Sequence, residues 1–129
     1  MWIAKTIARL HAQRQALGGR LVLVPTMGAL HEGHQRHIET ARRVGDHVIV
    51  SIFVNPTQFG PDEDFDGYPR DADADCAQCE KMWADGVFYP TVDEMCPPWQ
   101  AACQVTVAAL GDILEGRMRP GHLPVSAVW

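Results

Sequence analysis

The apolar positions near the amino terminus follow a helical period. Four of them recur at spacings of four, three and seven residues: Ile3, Ile7, Leu10 and Leu17. This spacing predicts a helix over residues 1–19, closed by the glycine pair at its end. The next run, residues 21–24, is wholly apolar, as expected for a parallel strand covered on both faces, and it should stop at Pro25.

The remaining chain continues as alternating helices and strands. A second helix is predicted over residues 30–44, with Ile38 and Ala41 facing inward and Gly45 at its end, followed by a β-branched strand over 47–54. The later elements are a loop over 60–69, a helix over 71–85, a strand over 87–89, a helical turn over 92–95, a strand over 104–107, a helical turn over 110–115 and a loop over 116–124. This order indicates βαβ units, and therefore an α/β fold with a parallel sheet in one domain, residues 1–129.

Two unusual turns follow predicted strands, at residues 26–34 and 55–60. In parallel α/β sheets, ligands bind beyond the carboxyl ends of the strands. Both turns are therefore expected to open onto the same edge of the sheet, where a ligand site would lie.

Charge and apolar content narrow the classes of function. The 129 residues carry a formal net charge of −5, which argues against a general nucleic-acid binder. No apolar run approaches the roughly 20 residues needed to cross a bilayer. Residues 1–20 lack the apolar core of a secretory signal, so a cytoplasmic protein without a membrane partner is expected.

The cysteines allow two interpretations. There are four: Cys76, Cys79, Cys96 and Cys103. The first two have the gap of a zinc knuckle, but the other two are six residues apart, outside the common zinc patterns. Because the first pair also lies three residues apart in a predicted helix, reduced thiols are favoured over structural zinc.

His31 and His34 are the strongest chemical signal. They lie three residues apart where a helix is predicted to begin, so their rings should share one face, where the helix dipole and unpaired backbone N–H groups favour an anion. Imidazoles add donors there, Gly33 leaves room for close approach, and two donors can stabilise charge on a phosphorus under attack. The alternative is a pair of exposed helix-end histidines. His37 continues the series, but steps of three drift around a helix by roughly 60°, so a surface position is predicted rather than a metal ligand.

Two amides follow the β-branched strand. Pro56 restricts the backbone between Asn55 and Gln58, and amides recognise hydroxyl and carboxylate groups without adding charge. The alternative is that both side chains only cap a turn.

Two charged clusters complete the candidates. Four acidic residues are interpreted as a solvated loop face, with direct magnesium binding as the minor alternative: Asp62, Glu63, Asp64 and Asp66. A basic group in a glycine- and proline-bearing loop could meet a phosphate or carboxylate, or be plain surface: Arg117, Arg119 and His122.

Three segments together resemble the pantothenate synthetase (pantoate–β-alanine ligase) family. They are Pro-Thr-Met-Gly-Ala-Leu-His-Glu-Gly-His at 25–34, Val-Ser-Ile-Phe-Val-Asn-Pro-Thr-Gln-Phe-Gly at 50–60 and Tyr-Pro-Arg at 68–70. Val-Asp-Glu-Met at 92–95 and Arg-Pro-Gly-His at 119–122 look like the same family.

The resemblance implies an ATP-dependent ligase with a Rossmann-like parallel sheet of the HxGH nucleotidyltransferase type. In this family the pantoate carboxylate attacks the α-phosphate of ATP to give pantoyl adenylate and pyrophosphate. The β-alanine amine then displaces AMP to form pantothenate. Mg²⁺ would accompany ATP, and a homodimer is expected because family members are usually dimers.

The resemblance also implies roles for individual residues. The ATP-binding segment would comprise Met27, Gly28, Ala29, Leu30, His31, Glu32, Gly33 and His34. His34 matches the position assigned as proton donor, with His31 beside it on the phosphates. Gln58 matches the glutamine that contacts pantoate and β-alanine, and Asn55 would line the same pocket. Arg119 and His122 match a loop near the site.

This sequence departs from the family pattern in several places. A Gly-Glu-Lys-Asp segment, whose lysine meets ATP phosphates, has no counterpart, nor do a serine-rich loop and the C-terminal lid domain. An N-terminal, truncated nucleotide-binding part of the ligase is therefore predicted. The alternative is a non-catalytic module that binds pantoate or adenine nucleotide without turnover. A related nucleotidyltransferase is a third interpretation, against which the segment from Asn55 to Gln58 argues.

Overall fold

A computed structural model of the chain describes residues 1–96. The described residues divide into two compact units, one formed by Met1–Val54 and Pro69–Cys96, the other containing Asn55–Tyr68. A single domain over 1–129 stays a prediction. The elements predicted beyond residue 96 lie outside the described residues, as do four candidate residues: Cys103, Arg117, Arg119 and His122.

The first unit is built on a four-stranded parallel sheet in the order β1-β4-β3-β2. Its strands are β1 (Trp2–Ala4), β2 (Leu21–Thr26), β3 (His47–Ile52) and β4 (Gly86–Phe88). β2 pairs with β3 along its whole length, from Leu21 opposite His47 to Thr26 opposite Ile52. The predicted α/β fold with a parallel sheet is confirmed.

In the described part of the chain, four α-helices accompany these strands, three between successive strands and one after β4. They are α1 (Ile7–Ala16), α2 (Glu32–Val44), α3 (Ala72–Lys81) and the short α4 (Val92–Met95). A side-chain cap begins each of the four. At α1, α3 and α4, Thr6 accepts from the Arg9 N–H, Asp71 from the Ala74 N–H and Thr91 from the Glu94 N–H. None of the helices within residues 1–96 has the length and apolar character to span a membrane.

The predicted helix over residues 1–19 is wrong at its start. Residues Trp2 to Ala4 form β1, which pairs with β4 through Trp2 opposite Gly86, and Thr6 caps a helix that begins only at Ile7. Three residues are too few for their spacing to distinguish a strand from a helix. The pairing partner decides, and it lies more than eighty residues further along the chain.

The predicted end of the strand over residues 21–24 is also wrong. β2 continues through Pro25 to Thr26. Within the sheet that residues 1–96 form, it is an edge strand, where proline is tolerated because one side of the strand needs no ladder hydrogen bond. It is not covered on both faces either, because Leu23 is 55% exposed while Val24 is 5% exposed.

Most other boundaries lie within two residues of the prediction. α2 begins two residues late at Glu32 and ends before Gly45 as predicted, β3 ends two residues early, and β4 begins one residue early. α3 is shorter than expected, because it ends at Lys81 rather than Asp85. α4 coincides with the predicted helical turn over 92–95.

The main core lies on the face of the sheet that α2 and α3 cover. It contains Ile38 and Ala41, as predicted, packed with Val48, Val50 and Val87. A smaller cluster on the other face is formed by Ala4, Ile49 and Phe88, with Leu10 and Met95 against them. β3 is therefore buried on both sides, and its end next to the end of β2 is rigidly placed.

Candidate functional site

The chain passes from β2 to α2 through a tight turn over residues 26–31, called here the 26–31 turn. Gly28 (φ 81°) and Ala29 (φ 50°) both have left-handed backbone conformations. Glycine adopts this conformation freely, whereas for alanine it costs roughly 1–2 kcal/mol. A Cβ atom at Gly28 would also lie 2.8 Å from Oδ2 of Asp75. Glycine is therefore required at position 28 for two independent reasons.

Thr26 holds the start of this turn against β3. Its hydroxyl donates to the Ser51 carbonyl at 2.9 Å and accepts from the Gly28 N–H at 3.2 Å. A backbone hydrogen bond joins the same two segments, because the Phe53 N–H donates to the Thr26 carbonyl at 3.0 Å. The buried hydroxyl is thus satisfied while it closes the turn.

Asp75 of α3 holds the rest of the turn. One carboxylate oxygen accepts from the Ala29 N–H at 3.0 Å and the other from the Leu30 N–H at 2.9 Å. Leu30 itself is buried and packs into the main core. Gln78, one turn further along α3, donates from Nε2 to the Leu30 carbonyl at 3.3 Å.

His31 and His34 form a reciprocal cap at the start of α2. His31 is the N-cap residue, and its Nδ1 accepts from the Gly33 N–H at 3.1 Å. The Nδ1 of His34 accepts from the His31 N–H at 3.3 Å. The ring centroids lie 4.1 Å apart. The structure therefore brings the two predicted histidines together.

This cap determines where each neutral imidazole carries its proton. An Nδ1 atom that accepts a backbone hydrogen bond cannot itself be protonated, so the proton lies on Nε2. Both rings then present an Nε2–H donor, and neither needs a positive charge to do so. Such a pair can donate two hydrogen bonds to one anionic group.

Several of the backbone N–H groups that were expected to be unpaired here already have a partner. The N–H groups of Ala29 and Leu30 donate to Asp75, and those of His31 and Gly33 donate to the two rings. These four groups are already used. The imidazole Nε2–H groups are therefore donors that stay available at this point of the site.

The surroundings of His34 favour its neutral form. Partial burial is the main cause that lowers its pKa, and the neighbouring His31 and His37 lower it further, while Asp75 acts in the opposite direction. Protonation of Nδ1 would also remove the hydrogen bond from the His31 N–H. His37 is exposed, which agrees with the predicted surface position.

The second unit contains the two predicted amides, Asn55 and Gln58. Asn55 is buried, and its Oδ1 accepts from the N–H of Thr57 at 3.0 Å and from its hydroxyl at 2.6 Å. It therefore caps the short 3₁₀ turn Pro56–Gln58, which was the alternative interpretation for this residue. Gln58 is half-buried at the end of that turn. Contact of either amide with a ligand stays a prediction.

The remaining candidate residues within 1–96 are the acidic residues of the loop and the cysteines of α3. The four acidic residues at 62, 63, 64 and 66 are all exposed, as expected of a solvated loop face. No group of three His, Cys, Asp or Glu residues in this part of the chain is placed to hold a metal ion. Cys76 and Cys79 lie on α3 as free thiols, and burial raises the pKa of Cys79 to about 12.

Sequence reasoning missed Thr26, Asp75 and Gln78. A signal for Asp75 was present, because it lies four residues before Cys79 and therefore on the inward face of α3. A carboxylate at an inward helix position is buried only if hydrogen bonds satisfy it. Its partner could not be identified from spacing, because 45 residues separate Asp75 from Leu30.

Comparison with protein families gives a match over nearly the whole chain. Residues 2–128 match the model described as pantoate-beta-alanine ligase. The pantothenate synthetase of Acidothermus cellulolyticus is 53% identical over 120 residues, which are 93% of this chain and 39% of the relative. That of Bartonella quintana is 52% identical over 123 residues, again 93% of this chain, and 43% of the relative.

Solved structures agree with this match. The pantothenate synthetase of Thermus thermophilus superposes with a TM-score of 0.90 at 44% identity, covering 99% of this chain and 46% of that one. The Francisella tularensis pantoate-beta-alanine ligase, complexed with beta-gamma ATP and β-alanine, superposes with a TM-score of 0.88 at 38% identity, covering 96% and 48%. The chain thus spans less than half the length of these relatives.

Proposed function

The chain belongs to the pantoate-beta-alanine ligase family, and we propose that it binds ATP and pantoate for the ATP-dependent condensation of pantoate with β-alanine. The observation that carries this proposal is the pair of Nε2–H donors that His31 and His34 present beside the 26–31 turn. The Francisella relative, whose structure resembles this chain, holds an ATP compound and β-alanine.

In the proposed reaction, a pantoate carboxylate oxygen bonds to the α-phosphorus of ATP. The bond from that phosphorus to the bridging oxygen breaks, and pyrophosphate leaves. The β-alanine nitrogen then attacks the acyl carbon of pantoyl adenylate, loses a proton, and AMP leaves as pantothenate forms. In both steps the protein's task is to position the reactants and to stabilise negative charge on phosphate oxygens.

The two histidines suit the first of these steps. Negative charge grows on the phosphate oxygens as pyrophosphate leaves, and two Nε2–H groups held by the same cap can strengthen their hydrogen bonds there. As neutral rings, they donate hydrogen bonds without transferring a proton. His34 matches the position assigned as proton donor in the family. We therefore propose that it acts in this chain by donating a hydrogen bond and not by transferring a proton.

The other proposed contacts follow the family pattern. Residues 27–34 form the proposed ATP-binding segment, and Gln58 with Asn55 the proposed pantoate and β-alanine contacts. Arg119 and His122, outside the described residues, are proposed near the site. Mg²⁺ is proposed as the counter-ion of the ATP phosphates, and no step depends on a protein-bound ion. A homodimer is also proposed, which sedimentation analysis would test.

Binding without turnover is the second candidate function. No Gly-Glu-Lys-Asp segment occurs within the 129 residues, whose only lysines are Lys5 and Lys81. Contacts of a lysine with ATP phosphates that strengthen in the transition state raise turnover, so a chain without them should bind substrates but react slowly.

Two measurements separate these candidates. Calorimetric titration with ATP and Mg²⁺ tests the nucleotide site, and chromatographic detection of AMP with ATP, pantoate and β-alanine tests turnover. We expect measurable ATP binding and at most very slow AMP release. Robust AMP release would favour the complete reaction over the binding module. Absence of ATP binding at millimolar concentrations would contradict both.

A further inference from the structure

Asp75 is a buried carboxylate that the proposed reaction does not use. Its side chain is in α3, and the residue is only 3% exposed. Burial of a carboxylate is unfavourable unless hydrogen bonds replace its water. Both oxygens are satisfied here by consecutive backbone N–H groups, those of Ala29 and Leu30.

These two hydrogen bonds hold a segment of backbone in an unfavourable conformation near the site. Ala29 has a φ of 50°, a conformation that alanine disfavours. A carboxylate matches this place, because both neighbouring groups are donors and both its oxygens are acceptors. An asparagine would direct an NH₂ group against one of the N–H groups.

A second tie joins the same helix to the same turn. Gln78 Nε2 donates to the Leu30 carbonyl at 3.3 Å, and its Oε1 accepts from Gln35 Nε2 of α2 at 3.0 Å. α3 thus determines where the turn ends. The residue that follows Leu30 is His31, whose backbone and ring both belong to the histidine cap.

We propose that Asp75 is a positioning residue for the nucleotide site. It holds the Ala29 and Leu30 N–H groups so that His31 begins α2 and both imidazoles present their Nε2–H donors together. This inference rests on the proposed function only for the identity of the anion, ATP.

Electrostatics alone predicts the opposite effect of removing this carboxylate. A negative charge beneath an anion site weakens anion binding, so its removal would tighten ATP binding. The positioning role predicts weaker binding, because the donors lose their alignment. The sign of the change in affinity therefore distinguishes the two roles.

The test compares Asp75→Asn with Asp73→Asn in the full 129-residue chain. Asp73 is exposed on the same helix, so its substitution makes the same change in charge away from the turn. Calorimetry with ATP and Mg²⁺ should show the Kd of Asp75→Asn raised about tenfold or more with unchanged stoichiometry, and that of Asp73→Asn within about twofold. Equal or tighter binding by Asp75→Asn, or a loss of stoichiometry at unchanged Kd, would overturn the proposal.

A second measurement does not depend on ATP. In ¹⁵N spectra of the histidine rings, the unsubstituted chain should show Nε2-protonated His31 and His34. Asp75→Asn should reduce this tautomeric preference while His37 stays unchanged. If the unsubstituted chain shows the signature but binds no ATP, the proposed function fails and the positioning role survives.

Gln78→Ala serves if Asp75→Asn does not fold. Gln78 is half-buried, and its loss removes the second tie to Leu30 while Asp75 stays in place. We expect the same change in the His31 and His34 signals, smaller in size. Unchanged ring signals in Gln78→Ala, with Asp75→Asn unfolded, would overturn the proposal that α3 positions the cap.

Discussion

The Nδ1 atom of His34 accepts a hydrogen bond from the backbone N–H of His31 at 3.3 Å. His31 uses its own Nδ1 in the same way, on the Gly33 N–H. Each ring therefore stabilises the start of α2 with one nitrogen and is left with a donor on the other. Local stability and ligand recognition are divided between the two nitrogens of each imidazole, and substitutions can separate them.

Two substitutions of His34 should have opposite effects. Asparagine places an acceptor close to where Nδ1 lies but has nothing at the Nε2 position, whereas glutamine reaches the Nε2 position without the cap acceptor. His34→Asn should keep the free energy of unfolding and weaken ATP binding about tenfold. His34→Gln should lose about 0.5–1 kcal/mol of stability and retain more of the affinity.

Urea denaturation and calorimetric titration of both variants would check this expectation. His37→Ala is the control, because His37 is exposed on the next turn of the same helix. A glutamine variant that binds ATP no better than the asparagine variant would show that Nε2–H is not the ligand donor.

Stability should fall on acidification because of His34. Its folded-state pKa lies below the ordinary value of 6.5, so the unfolded chain binds its proton more readily than the folded one. This contribution is fully present above pH 6.5 and is lost as the pH falls through the folded-state pKa. Urea unfolding at a series of pH values from neutrality downward would measure it. His34→Asn should flatten this dependence, and an unaltered slope in that variant would assign it to other groups.

Gly28→Ala should destabilise the fold strongly. The substitution places a Cβ at a φ of 81° and 2.8 Å from the Asp75 carboxylate, so a loss of at least about 1–2 kcal/mol is expected. Gly18→Ala is the matched control, because nothing lies within 4 Å of a Cβ there. Thermal denaturation of both variants would compare them. Similar midpoints would mean that the turn relaxes without cost.

Gln58→Ala should weaken the binding of pantoate. If the amide binds the pantoate carboxylate or hydroxyl, its loss removes a hydrogen bond to a charged group, and a rise in Kd of about tenfold is expected by calorimetry. Asp62→Ala, in the exposed loop that follows, should leave the Kd unchanged. Equal affinity of Gln58→Ala and the unsubstituted chain would remove Gln58 from the proposed site.

Periodicity was sufficient to predict those helices and strands whose secondary structure does not depend on contacts with distant parts of the chain. α2 was predicted with its buried Ile38 and Ala41, because an amphipathic helix repeats its inward positions within a few turns. β3 was predicted because a run of β-branched residues in one short segment already favours a strand. The pairing of His31 with His34 followed from their spacing alone.

Tertiary structure decided what depends on residues far apart in the chain. Trp2 to Ala4 is a strand because β4 pairs with it, and Pro25 is tolerated in a strand because β2 lies at an edge of the sheet that residues 1–96 form. The sequence by itself determined that two histidines stand at the start of a helix. Which ring nitrogen of each remains available, and that Asp75 holds the preceding turn, depended on packing, because a hydrogen bond needs a distance and an angle that residue spacing does not specify.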